Sequence, residues 1–174
     1  MSEDLRFPLG NFNRKTEVTP ELRKELVQTI SDLPETLEKA VSDLTQQQLD
    51  TPYRAEGWTV RQTIHHIADS HLNAYTRFKL ALTEDVPTIR PYAEDRWAEL
   101  ADSKLPIDVS LKIIEGVHAR WTVLLESMSD ADFQKQLNHP ETGVWTLENM
   151  LGLYEWHSRH HTAHITKLRE RNGW

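Results

Sequence analysis

Cysteine is absent from this 174-residue sequence. Its absence excludes disulfide bonds, a cysteine nucleophile and any metal site built on thiolates. A metal ion bound by this chain would have to be held by histidine, aspartate or glutamate, which are the harder ligands. The sequence contains nine histidines, so their positions matter most for a metal site.

A surplus of positive charge and long apolar runs are missing as well. The formal net charge is -7 and the sequence pI is about 5.7, whereas nucleic acids and anionic membrane surfaces select basic faces. No apolar run approaches the ~20 residues of a membrane span, and the N-terminus lacks the apolar core of a signal peptide. We therefore expect neither a nucleic-acid nor a membrane partner, and we predict a cytoplasmic protein.

Four long segments have apolar residues at helical spacing. They cover residues 20–44, 59–84, 108–127 and 146–171, and Pro34 is expected to kink or interrupt the first of them. Residues 85–106 contain three prolines and form a long connection, and no segment has a convincing strand pattern. The chain is thus predicted to be all-α, a four-helix bundle with a long crossover connection. We expect one domain over residues 1–174 with an extended N-terminal arm over about residues 1–18.

The last predicted helix carries four histidines within residues 154–164. His157 and His161 are four residues apart, so they share one face of the helix, and that face is otherwise apolar. Two buried imidazoles need partners for their ring nitrogens. The pair is either a pair of core or helix-end histidines or part of a metal site. Ser158 excludes the usual zinc-protease motif, which needs glutamate directly after the first histidine.

The second predicted helix carries His66 on a polar stripe opposite its apolar face. The stripe also contains Gln62, Asp69, Asn73 and Arg77. Helical spacing alone favours a solvated face for this stripe, and the alternative is a polar cavity inside the bundle.

The other histidines of the chain have simpler interpretations. His71 and His118 lie among apolar neighbours and are expected to be core histidines with satisfied ring nitrogens. His65 and His139 are expected at the surface. His164 continues the face of His161, and His160 lies to one side of it.

The sequence resembles the DinB/YfiT-like superfamily of metal-binding four-helix bundles, and within it the YfiT branch. That branch includes metal-dependent hydrolases and bacillithiol S-transferases. The resemblance extends over nearly the whole chain and depends on a combination of segments rather than on a single motif. These segments are residues 7–10, 50–54, 57–62, 65–71, 77–84, 87–92 and 154–165.

The resemblance implies a set of metal ligands and a quaternary state. His66, His157 and His161 would hold one divalent metal ion per subunit, with zinc or nickel expected, and the chain would form a homodimer. His66 would then point into the bundle, and Gln62, Asn73 and Arg77 would become candidate residues of a substrate pocket.

The function implied by the resemblance is that of a metal-dependent enzyme acting on a small-molecule substrate. The metal would activate either water, in a hydrolase, or the thiolate of bacillithiol, in an S-transferase. Asp69, Tyr154 and His160 are the candidate catalytic residues. The alternative is a non-catalytic metal-binding or structural helical bundle.

Overall fold

Four long helices form the scaffold, as the sequence predicts. The computed structural model describes residues 4–14 and 17–174, so residues 1–3 and 15–16 of the predicted N-terminal arm lie outside the described part. Short helices stand in the connections between the long ones. In chain order the helices are α1 (Pro20–Val41), α2 (Gln46–Leu49), α3 (Val60–Thr83), α4 (Glu94–Trp97), a 3₁₀ turn (Ala101–Lys104), α5 (Asp108–Ser127), α6 (Asp130–Phe133) and α7 (Leu147–Asn172).

Side-chain caps fix where the two site-bearing helices begin. The hydroxyl of Thr59 accepts a hydrogen bond from the Gln62 backbone N–H at 3.1 Å, and the Gln62 side chain accepts from the Thr59 N–H at 3.0 Å. This capping box satisfies two N–H groups that the start of α3 would otherwise leave unpaired. Thr146 caps α7 with its hydroxyl alone, which accepts from the Asn149 backbone N–H at 3.2 Å, and Gly173, in a left-handed conformation with φ 67°, ends the helix.

Pro34 does not interrupt α1, so the predicted interruption is wrong. The helix runs continuously from Pro20 to Val41 with Pro34 inside it. Proline has no backbone N–H, so it cannot pair with the carbonyl of residue 30, four positions earlier. The Ile30 carbonyl accepts a hydrogen bond from the His118 ring instead.

The arrangement of the four helices makes the long connection a crossover. α1 packs on α5 and α7, and α3 packs on the same two helices. Near the start of both helices, His65 of α3 contacts Ser110 of α5, and further along both, Phe78 contacts Trp121. The two helices therefore run in the same direction. A connection between parallel neighbours must return along the length of the bundle, and this confirms the predicted crossover.

The expectation that the chain has no strand is wrong. β1 (Gln136–His139) and β2 (Gly143–Thr146) form an antiparallel hairpin just before α7. Gly143 follows the loop at φ 79°, a conformation that glycine adopts without strain. Two strands of four residues are too short to show the alternation that identifies strands in a sequence.

The bundle core consists of two apolar clusters with a layer of histidines between them. One cluster includes Phe78 and Trp121, and the other includes Ile64 and Ile114. On every long helix the residues of one cluster precede those of the other, and His71 and His118 fall at the boundary on α3 and α5. Within the described part of the chain, no helix combines the length and apolar character that crossing a membrane requires.

Candidate metal centre

Three histidines from two helices meet at one point near the centre of the bundle. His66 comes from α3, and His157 and His161 come from adjacent turns of α7. One ring nitrogen from each lies within 4.8 Å of the others, and the Nε2 atoms of His66 and His157 are 3.1 Å apart. The structure therefore brings together the three residues that the resemblance implies as ligands. The prediction from helical spacing that His66 lies on a solvated face is wrong, because the residue is only 6% exposed.

The three imidazoles suit a divalent ion in charge state and spacing. Burial lowers the pKa of His66 to about 4 and holds the pKa values of His157 and His161 well below the usual range. All three rings are therefore neutral at neutral pH, each with a lone pair available to a metal. Tetrahedral zinc with Zn–N bonds of ~2.0–2.1 Å separates its ligand nitrogens by about 3.3 Å, close to the separation of the His66 and His157 atoms.

A buried ring nitrogen without a hydrogen-bond partner is further evidence that this region is not an ordinary, fully hydrogen-bonded core. Among the described residues, the buried Nδ1 of His161 has no hydrogen-bond partner, and neither do the Nδ1 atoms of its neighbours His160 and His164. Buried polar atoms normally have one, and each exception needs an explanation. In the part of the chain that the structure describes, the cluster consists of three histidines with no fourth ligand, as in metal sites that keep a position open for chemistry.

The Trp58 indole covers the histidines from the loop that precedes α3. Its ring centroid lies 4.5 Å from that of His66 and 6.2 Å from that of His161. Trp58 stands immediately before the capping residue Thr59, so the same cap that starts α3 also places the indole over the site.

Two cavities meet at His157. The first has a volume of about 430 Å³, and its lining includes Trp58, Trp156, Arg6 and Arg54 beside all three histidines. Arg6 and Phe7 come from the N-terminal arm, so the arm forms part of this wall.

The second cavity has a volume of about 520 Å³, and its lining includes Ser70, Arg77, Tyr92 and Tyr154 together with His157. Both volumes fall in the usual range of small-molecule sites, which is ~300–1,000 Å³. Small molecules can therefore reach His157 from both cavities, and His66 and His161 from the first.

Arg77 and Tyr154 form a polar unit in the second cavity. The Arg77 guanidinium donates to the Tyr154 hydroxyl at 3.2 Å and to the Arg90 carbonyl at 3.3 Å. Burial raises the pKa of Tyr154, although Arg77 acts in the opposite direction. The Ser70 hydroxyl lies 3.4 Å from Nε2 of His157, so it lies beside a nitrogen that would bind an ion. Tyr154 and Arg77, both predicted site residues, are thus brought to the histidines, and Ser70 joins them.

The structure places Gln62 and Asn73 elsewhere. The Gln62 amide donates to the Ala98 carbonyl at 3.0 Å, so it connects the start of α3 to the crossover connection. The Asn73 amide donates to the backbone carbonyl of Asp69 at 2.9 Å. Neither residue is among those that line the two cavities in the described structure. Both were expected in the pocket because they share the stripe of His66.

Asp69 is also separated from the two cavities among the described residues. Burial, with a smaller contribution from nearby Asp102, raises its pKa to about 6. This carboxyl lies toward the 3₁₀ turn rather than toward the three histidines.

His160 and His164 lie in the wall of the first cavity. His160 stacks on Trp156 with ring centroids 4.3 Å apart. His164 stacks on Tyr53 at 3.9 Å, and its Nε2 donates to the Arg6 carbonyl at 3.2 Å. Burial lowers the pKa of both to about 4, so both are neutral at neutral pH. Of the three catalytic candidates, Tyr154 and His160 therefore lie beside a cavity, whereas Asp69 does not among the described residues.

The surface position expected for His65 is wrong. His65 is 7% exposed, and its ring bonds to the Ser110 hydroxyl at 2.7 Å and to the Leu105 carbonyl at 3.0 Å. It faces α5 and the crossover connection, which cover a side of α3 that spacing alone treats as peripheral. His71 and His118 lie in the core as expected, with exposures of 0% and 1%.

Comparison with known proteins places the chain in a family. The model of the DinB superfamily matches residues 29–165. A relative from Bacillus cereus (strain 03BB102), named "Putative metal-dependent hydrolase", is 58% identical over 171 residues, which cover 98% of this chain and 99% of the relative. A relative from Bacillus thuringiensis subsp. konkukian (strain 97-27), also named "Putative metal-dependent hydrolase", matches to the same extent. The chain belongs to the DinB superfamily.

Solved structures agree with this assignment. YfiT from Bacillus subtilis, described as a probable metal-dependent hydrolase with an unusual four-helix bundle topology, superimposes with a TM-score of 0.96 at 48% identity. The match covers 98% of this chain and 99% of YfiT. A mycothiol-dependent maleylpyruvate isomerase shares the fold alone, with a TM-score of 0.67 at 17% identity over 82% of this chain and 60% of the isomerase.

Proposed function

We propose that this protein is a metal-dependent hydrolase whose divalent ion, zinc or nickel, is held by His66, His157 and His161. The observation that carries the proposal is the cluster of three neutral imidazoles, two buried and that of His157 half-buried, with nitrogens within 4.8 Å of one another. The names of the relatives agree with it. A divalent ion in such a site supplies Lewis acidity, which lowers the pKa of water to about 7.

The residues around the cluster bind and orient the substrate in this proposal. Trp58 covers one side of the histidines and excludes bulk water. On the other side, the Tyr154 hydroxyl is held by Arg77 and can donate to an oxygen of the substrate. Ser70, at 3.4 Å from Nε2 of His157, can accept or donate a hydrogen bond beside the reacting atoms.

A thiol S-transferase is the second candidate, and the two cavities are the observation that favours it. A hydrolase needs one organic substrate and water, whereas a transferase must hold two organic molecules. Cavities of about 430 and 520 Å³ that share His157 give room for both. The three histidines would hold the metal that lowers the pKa of the bacillithiol thiol, so that its proton passes to water, and the electrophile would approach the thiolate from the other cavity.

Metal content and two assays separate these functions. Purified protein should carry a divalent metal in stoichiometric amount, and removal by a chelator should abolish activity that zinc or nickel then restores. Ester, amide and lactone panels test hydrolysis. Incubation with bacillithiol and a fluorogenic electrophile tests transfer. Protein that binds metal but is inactive in both assays would support the non-catalytic alternative.

We also propose that the protein acts as a cytoplasmic homodimer, which is the state that the family resemblance implies. Sedimentation velocity at micromolar concentration tests the dimer. A single species with the mass of one chain, 20.3 kDa, would contradict it.

A further inference from the structure

Two buried histidines connect the candidate metal ligand His157 to the backbone of α1. Nδ1 of His157 lies 3.0 Å from Nε2 of His71, and Nδ1 of His71 lies 2.9 Å from Nε2 of His118. Nδ1 of His118 then reaches the carbonyl oxygen of Ile30. The chain of hydrogen bonds thus passes through α7, α3, α5 and α1 in turn.

The Ile30 carbonyl determines which ring nitrogen is the donor in each of these hydrogen bonds. A carbonyl oxygen only accepts, so Nδ1 of His118 carries the proton, and Nε2 of the neutral ring accepts from His71. By the same rule His71 is protonated on Nδ1 and accepts on Nε2 from Nδ1 of His157. The neutral His157 ring then has its lone pair on Nε2, the atom that faces His66 at 3.1 Å.

The acceptor at the end of the chain is available because of Pro34. In an α-helix the carbonyl of residue 30 pairs with the N–H of residue 34, and proline has none. α1 continues through Pro34, so the freed carbonyl stays in the bundle core, where His118 reaches it.

We infer that His71 and His118 are positioning residues that fix the Nδ1–H tautomer of His157, and that the carbonyl freed by Pro34 sets this tautomer. Metal-bound histidines are commonly oriented through their second ring nitrogen by a hydrogen-bond acceptor. Here that acceptor is another histidine, and the last acceptor is two rings away. The inference rests on the metal centre of the proposed function, but its first test needs no metal.

The tautomers can be measured in the metal-free protein. Long-range ¹H–¹⁵N NMR spectra of histidine rings distinguish a protonated Nδ1 from a protonated Nε2. We expect the Nδ1–H form at His118, His71 and His157 at pH 7.5. The Nε2–H form at His157 in the folded protein would overturn the inference, even if the protein binds metal and is active.

Variants of His118 test the consequence for metal affinity. His118→Phe keeps a ring but removes both hydrogen-bonding atoms, whereas His118→Gln keeps a donor and an acceptor. His65→Gln is the matched control, because it changes a buried, doubly bonded histidine of α3 outside the chain of hydrogen bonds. Zinc affinity is measured by chelator competition, and folding by circular dichroism.

We expect His118→Phe to weaken zinc binding by about 10- to 100-fold, and His118→Gln and His65→Gln to bind close to wild type. If His118→Phe does not fold, the same measurement is made on His71→Phe, which removes the direct hydrogen-bond acceptor of His157. Zinc affinity equal to wild type in a folded Phe variant would overturn the inference. Equal losses in His118→Phe and His65→Gln would do so too, because they would show a general effect of core damage.

Discussion

Acid should destabilise the metal-free protein in a pH range set by its buried histidines. Burial lowers the pKa of His66, His118, His160 and His164 from 6.5 to about 4. The unfolded chain keeps ordinary values near 6.5. As the pH falls below about 6.5, the unfolded state therefore takes up protons first, and stability is lost until the pH reaches about 4.

The size of the effect follows from the size of these shifts. One pKa unit corresponds to about 1.4 kcal/mol, so each histidine contributes on the order of 1–3 kcal/mol. The free energy of unfolding of a domain is typically only about 5–15 kcal/mol. The losses contributed by two or three such histidines are therefore a large part of it. Asp69 acts in the opposite sense, since its raised pKa of about 6 stabilises the fold as the pH falls. One carboxyl cannot balance four histidines.

Urea unfolding at pH 7.5, 6.0, 5.0 and 4.5 measures this dependence. We expect the free energy of unfolding to fall steadily below pH 6.5. Its slope against pH should correspond to the uptake of more than one proton on unfolding. His118→Gln removes one of the titrating groups, so its slope should be smaller. Zinc should reduce the acid sensitivity, because it binds the neutral imidazoles of the folded state. A free energy of unfolding that is constant between pH 7 and 5 would refute the pKa assignments.

Three further predictions concern single residues. Asp69→Asn removes a half-buried carboxyl with a raised pKa, so urea unfolding at pH 7.5 should show a gain on the order of 1 kcal/mol, and a loss would contradict this. Arg77→Met should raise KM by about tenfold or more, since charged hydrogen bonds contribute about 1.5–3 kcal/mol, while metal content stays unchanged; an unchanged KM would exclude Arg77 from substrate binding. Pro34→Ala supplies an N–H that competes for the Ile30 carbonyl, so thermal unfolding should show equal or higher stability while chelator competition shows weaker zinc binding. Zinc affinity equal to wild type would contradict the role assigned to Pro34.

Much of the fold follows from local signals in the sequence. Thr59 with Gln62, Thr146 and Gly173 are capping residues whose effect is confined to one turn of helix, so they locate helix ends without tertiary information. The hairpin before α7 could not be found in this way, because its strands are short and depend on pairing with each other.

The site depends on which helix faces meet, and spacing along one helix does not contain that information. His66 lies on the polar stripe of α3, and the structure buries it because α7 presents His157 and His161 to the same place. Gln62 and Asn73 share that stripe but face the crossover connection and the helix backbone. Only the family resemblance, which includes long-range pairing, indicated that His66 points inward.

The hydrogen bonds that join His157, His71 and His118 have a partial signal in the sequence. Two histidines on apolar faces of different helices each need partners for two ring nitrogens, and a proline inside a helix frees a carbonyl. Together these features predict a buried hydrogen-bond network, although they do not specify which helices it joins.

Metal stoichiometry of the purified protein tests the central claim most directly. Wild-type protein, His157→Ala and the control His65→Gln are loaded with zinc, dialysed and analysed by plasma mass spectrometry. We expect one ion per chain in wild type and in the control, and almost none in His157→Ala. Wild-type protein without stoichiometric metal, or His157→Ala with the same metal content as wild type, would contradict the account.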